Sequence, residues 1–364
     1  MTDTPADTAG PATGDTSTET ASDTASDTTS DTTGDAADIV APDPFAPLTG
    51  CLGATLPLTI SSLMPYTTAT IGAQGEDSGA FVLDFSSTFS SIDLAAFAAP
   101  PPATGCDVAV LGNKCTFADF HVLGAVYKAV LVLEDFSGLT GPLRQAGILG
   151  TDFLSLHVVG VDYAHKKIFA NDGSTSCTAS ALQQAGWVAL STQGYFEHDL
   201  SKLGPYTTVD ALATPGGHVP NVPTVPTTVA GTPAMAQLDS GFSDAVVNHS
   251  VNINGALFAA LQKANPNGLV RDASLDTTLS TCIVGLAEPV QAYHLAVGQT
   301  FALIAADGST ARSWSDATIF VKQTPKEAYS CGGIGTWTMA AAQVGASFYP
   351  SIGAIVLDPF AAKV

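Results

Sequence analysis

Positively charged side chains are scarce in this chain of 364 residues: 12 Lys and Arg oppose 33 Asp and Glu, for a formal net charge of −21. Nucleic-acid binding relies on clustered Lys and Arg to neutralise phosphates, so this composition argues against a nucleic-acid partner. Ten of the acids lie in residues 1–45, which contain no Lys or Arg. Residues 46–364 therefore carry a net charge of −11 and are acidic as well.

Short motifs of several enzyme classes are also missing. The chain has no Gly-x-Ser-x-Gly, no His-Glu-x-x-His, no P-loop and no Gly-x-Gly-x-x-Gly after a predicted strand, so we expect no cofactor. Glu197-His198-Asp199 is a short run of potential metal ligands. It lies in a stretch rich in Gly and Ser, where a solvated turn is the better interpretation.

Cysteine occurs in an even number, without the spacing that zinc sites use. No two cysteines form a Cys-x-x-Cys pair and no His cluster accompanies them, so we expect no metal. Such a set indicates disulfides and an oxidising compartment. Six reduced, buried thiols in a cytosolic protein are the alternative. The cysteines are Cys51, Cys106, Cys115, Cys177, Cys282 and Cys331.

Long apolar runs are absent too. No stretch is long enough to span a membrane, and the start Met1-Thr2-Asp3 has neither the basic nor the apolar segment of a signal peptide. With the disulfides, this favours a secreted, cell-surface or periplasmic protein whose targeting segment lies outside this sequence.

Gly (34), Pro (22) and hydrophobic residues (46%) are abundant, alongside many Thr, Ser and Val. This composition predicts an all-β fold, mainly strands with a few short helices. Residues 1–45 are low-complexity Thr, Asp, Ser and Ala, with too few apolar side chains to offset the entropy of ordering, so we predict disorder there. Such a segment suits a membrane tether or a solubilising tail. We divide the remainder into β-rich lobes at 46–178 and 179–364.

Local patterns predict individual elements. Residues 255–264 have the helical spacing of apolar side chains and are followed by Asn265-Pro266. The segment 106–115 predicts a hairpin with Gly112-Asn113 at its tip. Residues 295–305 are strand-like, and residues 171–222 are irregular.

An internal repeat relates the two halves at three points in the same order. The clearest point is a carboxylate at the end of an apolar strand, Asp84 in the first half and Asp239 in the second. Three matches in register indicate a duplicated lobe with a pseudo-two-fold axis. The matched segments are 67–72 with 226–231, 83–86 with 238–241, and 149–153 with 344–348, the last pair leading on to Asp162 and Asp358.

Near such an axis, Asp84 and Asp239 are expected to meet. Two carboxylates in contact cannot both ionise easily, so they share one proton. One then acts as general base on a water molecule, while the other, protonated, polarises a carbonyl group. The repeat therefore predicts these two residues as a catalytic pair.

These segments resemble the pepsin-like and retropepsin-like aspartic proteases. The pattern of that family is Asp-Thr/Ser-Gly at a strand end in each lobe, with an apolar-apolar-Gly segment that supports it. Asp239-Ser240-Gly241 and Ile148-Leu149-Gly150 match it. The resemblance covers roughly residues 51–364. It implies a bilobal pepsin-like fold, a water nucleophile, a peptide or protein substrate in the cleft of a monomer, and supporting roles for Ser87, Ser240 and Gly241.

Disulfide pairing and the flap over the cleft also follow from the resemblance. Family members with six cysteines imply the pairs Cys106–Cys115 and Cys282–Cys331, which leaves Cys51 with Cys177. The flap is expected at the hairpin 106–115, and Tyr127, in an apolar strand, is the other candidate.

The sequence departs from the family around both aspartates. Phe85 replaces a hydroxyl residue that reaches across to the other lobe, and Ser86 adds a side chain where the family has Gly. Ser87 retains the hydroxyl that bonds the first carboxylate. In the second lobe Phe242 occupies that position, so the bond is lost unless Ser243 replaces it.

Two functions are compatible with this pattern. The first is an aspartic endopeptidase in which Asp84 and Asp239 activate a water molecule. The second is a catalytically inactive relative that serves as a surface binding or scaffold domain, because Phe85, Ser86 and Phe242 remove family contacts. An unrelated secreted β-sandwich adhesin is a third, weaker interpretation.

Overall fold

Strands dominate the fold, with a few short helices between them, as the composition predicts. The strands are β1 (Leu56–Pro57), β2 (Thr59–Ser61), β3 (Met64–Ile71), β4 (Asp77–Leu83), β5 (Ser91–Ile92), β6 (Thr104–Ala109), β7 (Gly112–Val122), β8 (Ala125–Leu133), β9 (Gln145–Leu149), β10 (Val158–Asp162), β11 (Lys167–Asn171), β12 (Gln193–Tyr195), β13 (Val222–Val229), β14 (Thr232–Leu238), β15 (Ser250–Ile253), β16 (Leu269–Arg271), β17 (Thr277–Ser280), β18 (Ala287–Leu295), β19 (Phe301–Ile304), β20 (Thr310–Trp314), β21 (Thr318–Lys322), β22 (Ala341–Val344) and β23 (Ala354–Leu357).

The helices are short. The α-helices are α1 (Thr49–Leu52), α2 (Thr151–Leu154), α3 (Ala179–Gln184), α4 (Gly255–Ala264) and α5 (Tyr349–Ile352). Short 3-10 helices occupy Ala46–Leu48, Leu94–Ala96, Ala273–Leu275, Lys326–Cys331, Ile334–Thr336 and Ala346–Phe348. This computed structural model describes residues 42–72, 75, 77–99, 104–109, 112–139, 141–154, 157–171, 177–195, 222–243, 247–281, 283, 285–331 and 333–358. Within those residues no helix is long and apolar enough to cross a membrane.

The first large sheet closes on itself. Its strands lie in the order β2-β3-β4-β9-β5-β8-β7-β6, and β3 also pairs with β7. That additional pairing turns the sheet into a barrel. Fully buried Phe81, Phe117 and Phe120 lie in its core. Phe117 and Phe120 are three residues apart in β7, and both face inward because the pairing of β7 with β8 shifts between them.

The second large sheet takes the strands of the later half of the chain. Its main path is β16-β18-β21-β15-β22-β14-β13-β19-β20, with β12 beside β13 and β17 beside β18. Its core contains an aromatic cluster in which Phe348 packs against Phe301 and Trp314, with ring centroids 5.2 and 4.8 Å away.

A third, four-stranded sheet joins elements from both halves in the order β1-β11-β10-β23. Its two segments from the predicted repeat, β10 and β23, pair antiparallel with Gly160 opposite Val356. These two residues are equivalent in the repeat, since each lies two positions before its matched aspartate, Asp162 or Asp358. Equivalent residues face each other when a two-fold axis passes between them.

The repeat also has the same strand pairings in both halves. The hairpin of β3 and β4 corresponds to the hairpin of β13 and β14. At their ends β4 pairs parallel with β9, and β14 pairs parallel with β22. The matched segments of the sequence therefore occupy matched places in the sheets.

The N-terminal boundary lies slightly earlier than predicted. The described residues from Asp43 to Asp358 form one compact unit, and Phe45, assigned to the disordered tether, is buried. Its ring packs edge-on against Phe169 and stacks on Trp187. Residues 1–41 of the predicted tether lie outside the described part.

One disulfide is seen directly, between Cys51 and Cys177, with sulfur atoms 1.85 Å apart. It cross-links segments separated by 126 residues, which restricts the unfolded chain. Cys115 is also disulfide-bonded. The side chains of Cys106 and Cys331 and all of Cys282 lie outside the described part, so the pairs Cys106–Cys115 and Cys282–Cys331 stay predictions.

The helix predicted at 255–264 is confirmed as α4. Asn254 begins it by accepting a hydrogen bond from the backbone N–H of Leu257 at 2.9 Å. Leu257 and Leu261, four residues apart, are fully buried on one face. Asn265 then ends the helix.

Three local predictions were wrong. Gly112 and Asn113 are not at a hairpin tip, because they pair with Ala109 and Val108 inside the β6–β7 ladder. Residues 295–305 are not one strand: β18 ends at Leu295, and a turn around Gly298, which has a positive φ of 83°, precedes β19. The irregular stretch 171–222 contains α3 and β12, and its residues 172–176 and 196–221 lie outside the described part.

Candidate active site

Both predicted aspartates directly follow a strand that pairs parallel with a support strand. The backbone N–H of Asp84 donates to the carbonyl of Leu149 at 3.0 Å, and that of Asp239 donates to the carbonyl of Val344 at 2.9 Å. Leu149 and Val344 are partners in the repeat. Equivalent hydrogen bonds therefore fix the backbone at the two aspartates.

A second equivalent bond closes each aspartate loop. Ser87 accepts at its carbonyl from the N–H of Thr151 at 2.8 Å, and Phe242 accepts from the N–H of Ala346 at 2.7 Å. The support glycines make this close approach possible. A Cβ on Gly150 would lie 2.8 Å from the Ser87 carbonyl oxygen, and one on Gly345 would lie 3.1 Å from that of Phe242.

Ser240 links the two loops across the halves. Its Oγ donates to the carbonyl of Leu83 at 2.5 Å and accepts from the N–H of Phe85 at 3.1 Å. Phe85 cannot return the contact, since its side chain is apolar and is buried in the first core. Of the two hydroxyl contacts that the family makes between the loops, only the one from Ser240 is therefore present.

The two carboxyl groups lie close together at this junction. A Cβ on Gly241 would lie only 2.4 Å from Oδ2 of Asp84, so the second loop passes directly against the first carboxyl. Burial, and then the charge of Asp84, raise the pKa of Asp239 to about 8. Burial also raises the pKa of Asp84. Because the groups titrate together, the pair retains one proton at neutral pH.

Ser86 supplies the hydroxyl contact that the family resemblance assigned to Ser87. Its N–H and Oγ donate to Oδ1 of Asp84 at 2.8 and 2.7 Å, and its side chain also hydrogen-bonds with Asp239. The hydroxyl of Ser87 donates instead to the carbonyl of Phe89 at 2.9 Å, and only its backbone contacts Asp84. The hydroxyl contact expected from Ser87 was therefore misplaced by one residue.

Gln343 is a site residue that the sequence analysis missed. Its Nε2 donates to Oδ2 of Asp239 at 2.5 Å, while the N–H of Gly241 donates to Oδ1 at 3.1 Å. This amide occupies the role predicted to be lost at Phe242. A signal was present in the sequence: Gln343 replaces an apolar residue in the support segment, where Ile148 is its partner in the repeat.

The structure gives the contacts of one flap candidate, Tyr127, and the strands of the other. Tyr127 lies edge-on to the ring of Phe153, and its hydroxyl hydrogen-bonds with Nε2 of His157 at 2.9 Å. It is thus held beneath α2. The hairpin predicted for residues 106–115 is formed by β6 and β7, and its tip at 110–111 lies outside the described part.

A single cluster of potential metal ligands occurs in the described residues, formed by Asp43, Asp162 and His165. Nδ1 of His165 already lies 2.6 Å from Asp162, and Nζ of Lys167 lies 2.5 Å from Asp43. A cationic side chain thus already pairs with the cluster. Glu197-His198-Asp199 lies outside the described part.

Comparison with known proteins identifies no relative, so the proposed function rests on the geometry of the two aspartate loops. No family model matches the sequence, and no curated protein matches it.

Proposed function

We propose that this protein is an aspartic endopeptidase that hydrolyses peptide bonds with a water molecule activated by Asp84 and Asp239. The observation that carries the proposal is the pair of carboxyls at equivalent strand ends, brought together by Ser240 and by the close approach of Gly241. We further propose a bilobal pepsin-like architecture with lobes at 46–178 and 179–364. The antiparallel pairing of Gly160 with Val356 supports its pseudo-two-fold axis.

The chemistry needs one ionised and one protonated carboxyl. The carboxylate takes a proton from water as the water oxygen attacks the peptide carbonyl, and the carboxylic acid gives its proton to the carbonyl oxygen. The resulting gem-diol collapses to a carboxylic acid and an amine, with proton transfers that restore the pair. The raised pKa values of Asp84 and Asp239 support this role, because they keep one proton in the pair.

The pH range of activity follows from the same titration. Activity requires the singly protonated pair, so it should fall in strong acid, where both carboxyls are protonated. It should fall again above about pH 8, where the last proton leaves the pair. We therefore expect cleavage from mildly acidic to neutral pH.

A catalytically inactive binding domain is the second candidate, and Ser86 favours it. Its side chain hydrogen-bonds with Asp84 and with Asp239. A hydroxyl in that place competes with the reacting water for the same carboxyl oxygens. The cleft would then hold a peptide without cutting it.

The proposed setting is extracellular, on the surface or in the periplasm. The Cys51–Cys177 disulfide supports an oxidising compartment. We propose an unfolded or extended peptide as substrate and a monomer as the working form, with the N-terminal segment as a tether.

The test is cleavage of an unfolded protein substrate between pH 3 and pH 9. Endopeptidase activity that is blocked by a statine-type peptide inhibitor supports the enzyme. Circular dichroism must show that the protein is folded across the range. Folded protein that cuts nothing at any pH but binds the inhibitor would favour the binding domain.

A further inference from the structure

The amide of Gln343 has a hydrogen-bond partner at each end. Its Nε2 donates to Oδ2 of Asp239, and its Oε1 accepts from Nδ2 of Asn252 at 2.9 Å. Because Asn252 occupies the oxygen, the NH2 group is the end that faces the aspartate. A carboxyl accepts such a bond when it is ionised and, at one oxygen, when it is protonated, so the contact holds the group in place in either charge state.

Asn252 lies directly beside Gln343 in the second sheet. The two residues are opposite each other in the antiparallel β15–β22 ladder. Asn252 is buried, and a buried amide costs free energy unless it is hydrogen-bonded. Its side chain is shorter than that of Gln343 and loses less conformational freedom on ordering. It is therefore a suitable anchor for the longer amide.

The strand that carries Asn252 is itself fixed two residues further on. Oδ1 of Asn254 accepts from the N–H of Ala341 at 3.1 Å, and its Nδ2 donates to the carbonyl of Met339 at 2.7 Å. Ala341 begins β22, two residues before Gln343. The end of β15 is thus fastened to the strand that carries Gln343, which holds Asn252 in place beside it.

Gln237 shows the state of an amide without such a neighbour. It is paired with Gln343 in the parallel β14–β22 ladder and is buried. Its Nε2 lies 3.5 Å from the carbonyl oxygen of Ser86, at the limit of a hydrogen bond, and its Oε1 is buried with no partner among the described residues. Of these two glutamines, only the one beside Asn252 has both ends of its amide occupied.

We infer that Asn252 is a positioning residue of the proposed active site, which orients Gln343 and through it holds the carboxyl of Asp239 in place. The inference rests on the proposed function, in which that carboxyl must meet the water and the peptide in a fixed geometry. The effect of Asn252 on Asp239 passes through the amide of Gln343.

The direct test follows the side-chain NH2 group of Gln343 by NMR in the ¹⁵N-labelled full chain. Gln343→Leu identifies its signal by removing it. In Asn252→Ala these protons should exchange with solvent at least about tenfold faster than in the wild type, because the amide is released. Asn252→Leu, which keeps the branched shape of the side chain, gives the same test if the alanine variant does not fold. Unchanged exchange in the folded variant would overturn the inference.

Asn265→Ala is the matched control. Nδ2 of Asn265 donates to Oε1 of Gln299 at 3.1 Å, so this variant removes an asparagine–glutamine bond of the same kind at the end of α4. Exchange at Gln343 should keep its wild-type rate in the control. An equal acceleration in Asn265→Ala would contradict the role of Asn252, because it would come from a general loosening of the second half.

The rate of peptide cleavage gives a second readout. Asn252→Ala should lower kcat by about tenfold with KM little changed, because it displaces a reacting carboxyl. The same substitution in Gln343→Leu should lower kcat no further, since Asn252 acts through that amide. Additive losses would contradict the inference. A wild-type protein that cleaves nothing would count against the proposed function alone, because the exchange measurement does not depend on cleavage.

Discussion

The loop at Asp84 and the loop at Asp239 share a backbone frame and differ in the side chains that complete it. Each has the strand-end hydrogen bond to its support strand and the second bond that closes the loop. In the first loop Ser86 donates to the carboxyl from two positions away. In the second, Gln343 donates from 104 residues away.

This difference between the two loops shows which hydrogen bonds require a particular residue at a particular position of the sequence. Backbone bonds recur because they come from strand pairing. Donors to the carboxyls need only reach the right place, so a hydroxyl and an amide from different elements serve equally. The residue after the aspartate reaches across from one side alone, since Ser240 bonds the first loop and Phe85 has no hydroxyl to bond the second.

Gly241 and Ser86 occupy equivalent positions of the two loops, but only position 86 has a side chain. Gly241→Ala tests whether the second loop also has room for one. A Cβ there would lie 2.4 Å from Oδ2 of Asp84 and must displace it. Displacement of about 1 Å costs on the order of 100-fold in rate. We expect peptide cleavage to fall by at least that factor. Wild-type rates in Gly241→Ala would show that the loops do not meet as described.

Ser240→Ala should weaken the joint between the loops. It removes the hydrogen bonds to Leu83 and Phe85 within a buried site, and two such bonds contribute about 1–3 kcal/mol. Urea unfolding measures the change. Ser309→Ala, which removes a hydroxyl bonded to Asp307 on an exposed turn, is the control and should change stability by less than about 0.5 kcal/mol. Equal losses in the free energy of unfolding for the two variants would contradict the role of Ser240 in holding the loops together.

The carboxyl pair should make stability fall as pH rises. The pKa of Asp239 is raised to about 8, so the folded state keeps a proton that the unfolded chain loses above about pH 4. The pair's contribution is therefore fully present below pH 4 and is lost as pH rises toward 8. Asp84→Asn and Asp239→Asn should each be more stable than wild type at pH 7, by on the order of 2 kcal/mol, and nearly equal to it at pH 4.

Thermal unfolding at pH 4 and pH 7 gives this comparison directly. Asp316→Asn, at an exposed carboxyl paired with His249, serves as the control for loss of a surface charge. A stability difference that is the same at both pH values would argue against a shared proton.

Ser86→Gly should have the smallest effect and sharpens the choice between enzyme and binding domain. It removes the hydroxyl that bonds both carboxyls and places in the first loop the glycine that the second loop has at Gly241. If that hydroxyl competes with water, kcat should rise a few-fold, with the control Ser87→Ala close to wild type. A loss of activity in Ser86→Gly would instead mean that the hydroxyl supports the pair.

Much of the backbone arrangement around the two aspartates could be predicted from the sequence, because its signals are local or occur in both halves. The helix at 255–264 has its own cap and periodicity, and the strand ends at Asp84 and Asp239 lie in matched segments. The contact of Gln343 was missed because only tertiary pairing of β14 with β22 brings it to Asp239. The side chain of Ser87 was misjudged because its hydroxyl donates locally, to the carbonyl of Phe89 two residues further on.

The most direct measurement is the initial rate of peptide cleavage by Asp84→Asn and Asp239→Asn beside the wild-type enzyme. All three are assayed at the wild-type optimum and shown to be folded by circular dichroism. Since each carboxyl has a separate task in the proposed reaction, both variants should lose at least about 1,000-fold in kcat. Wild-type cleavage by either folded variant would contradict the account, because a shared proton needs both carboxyls.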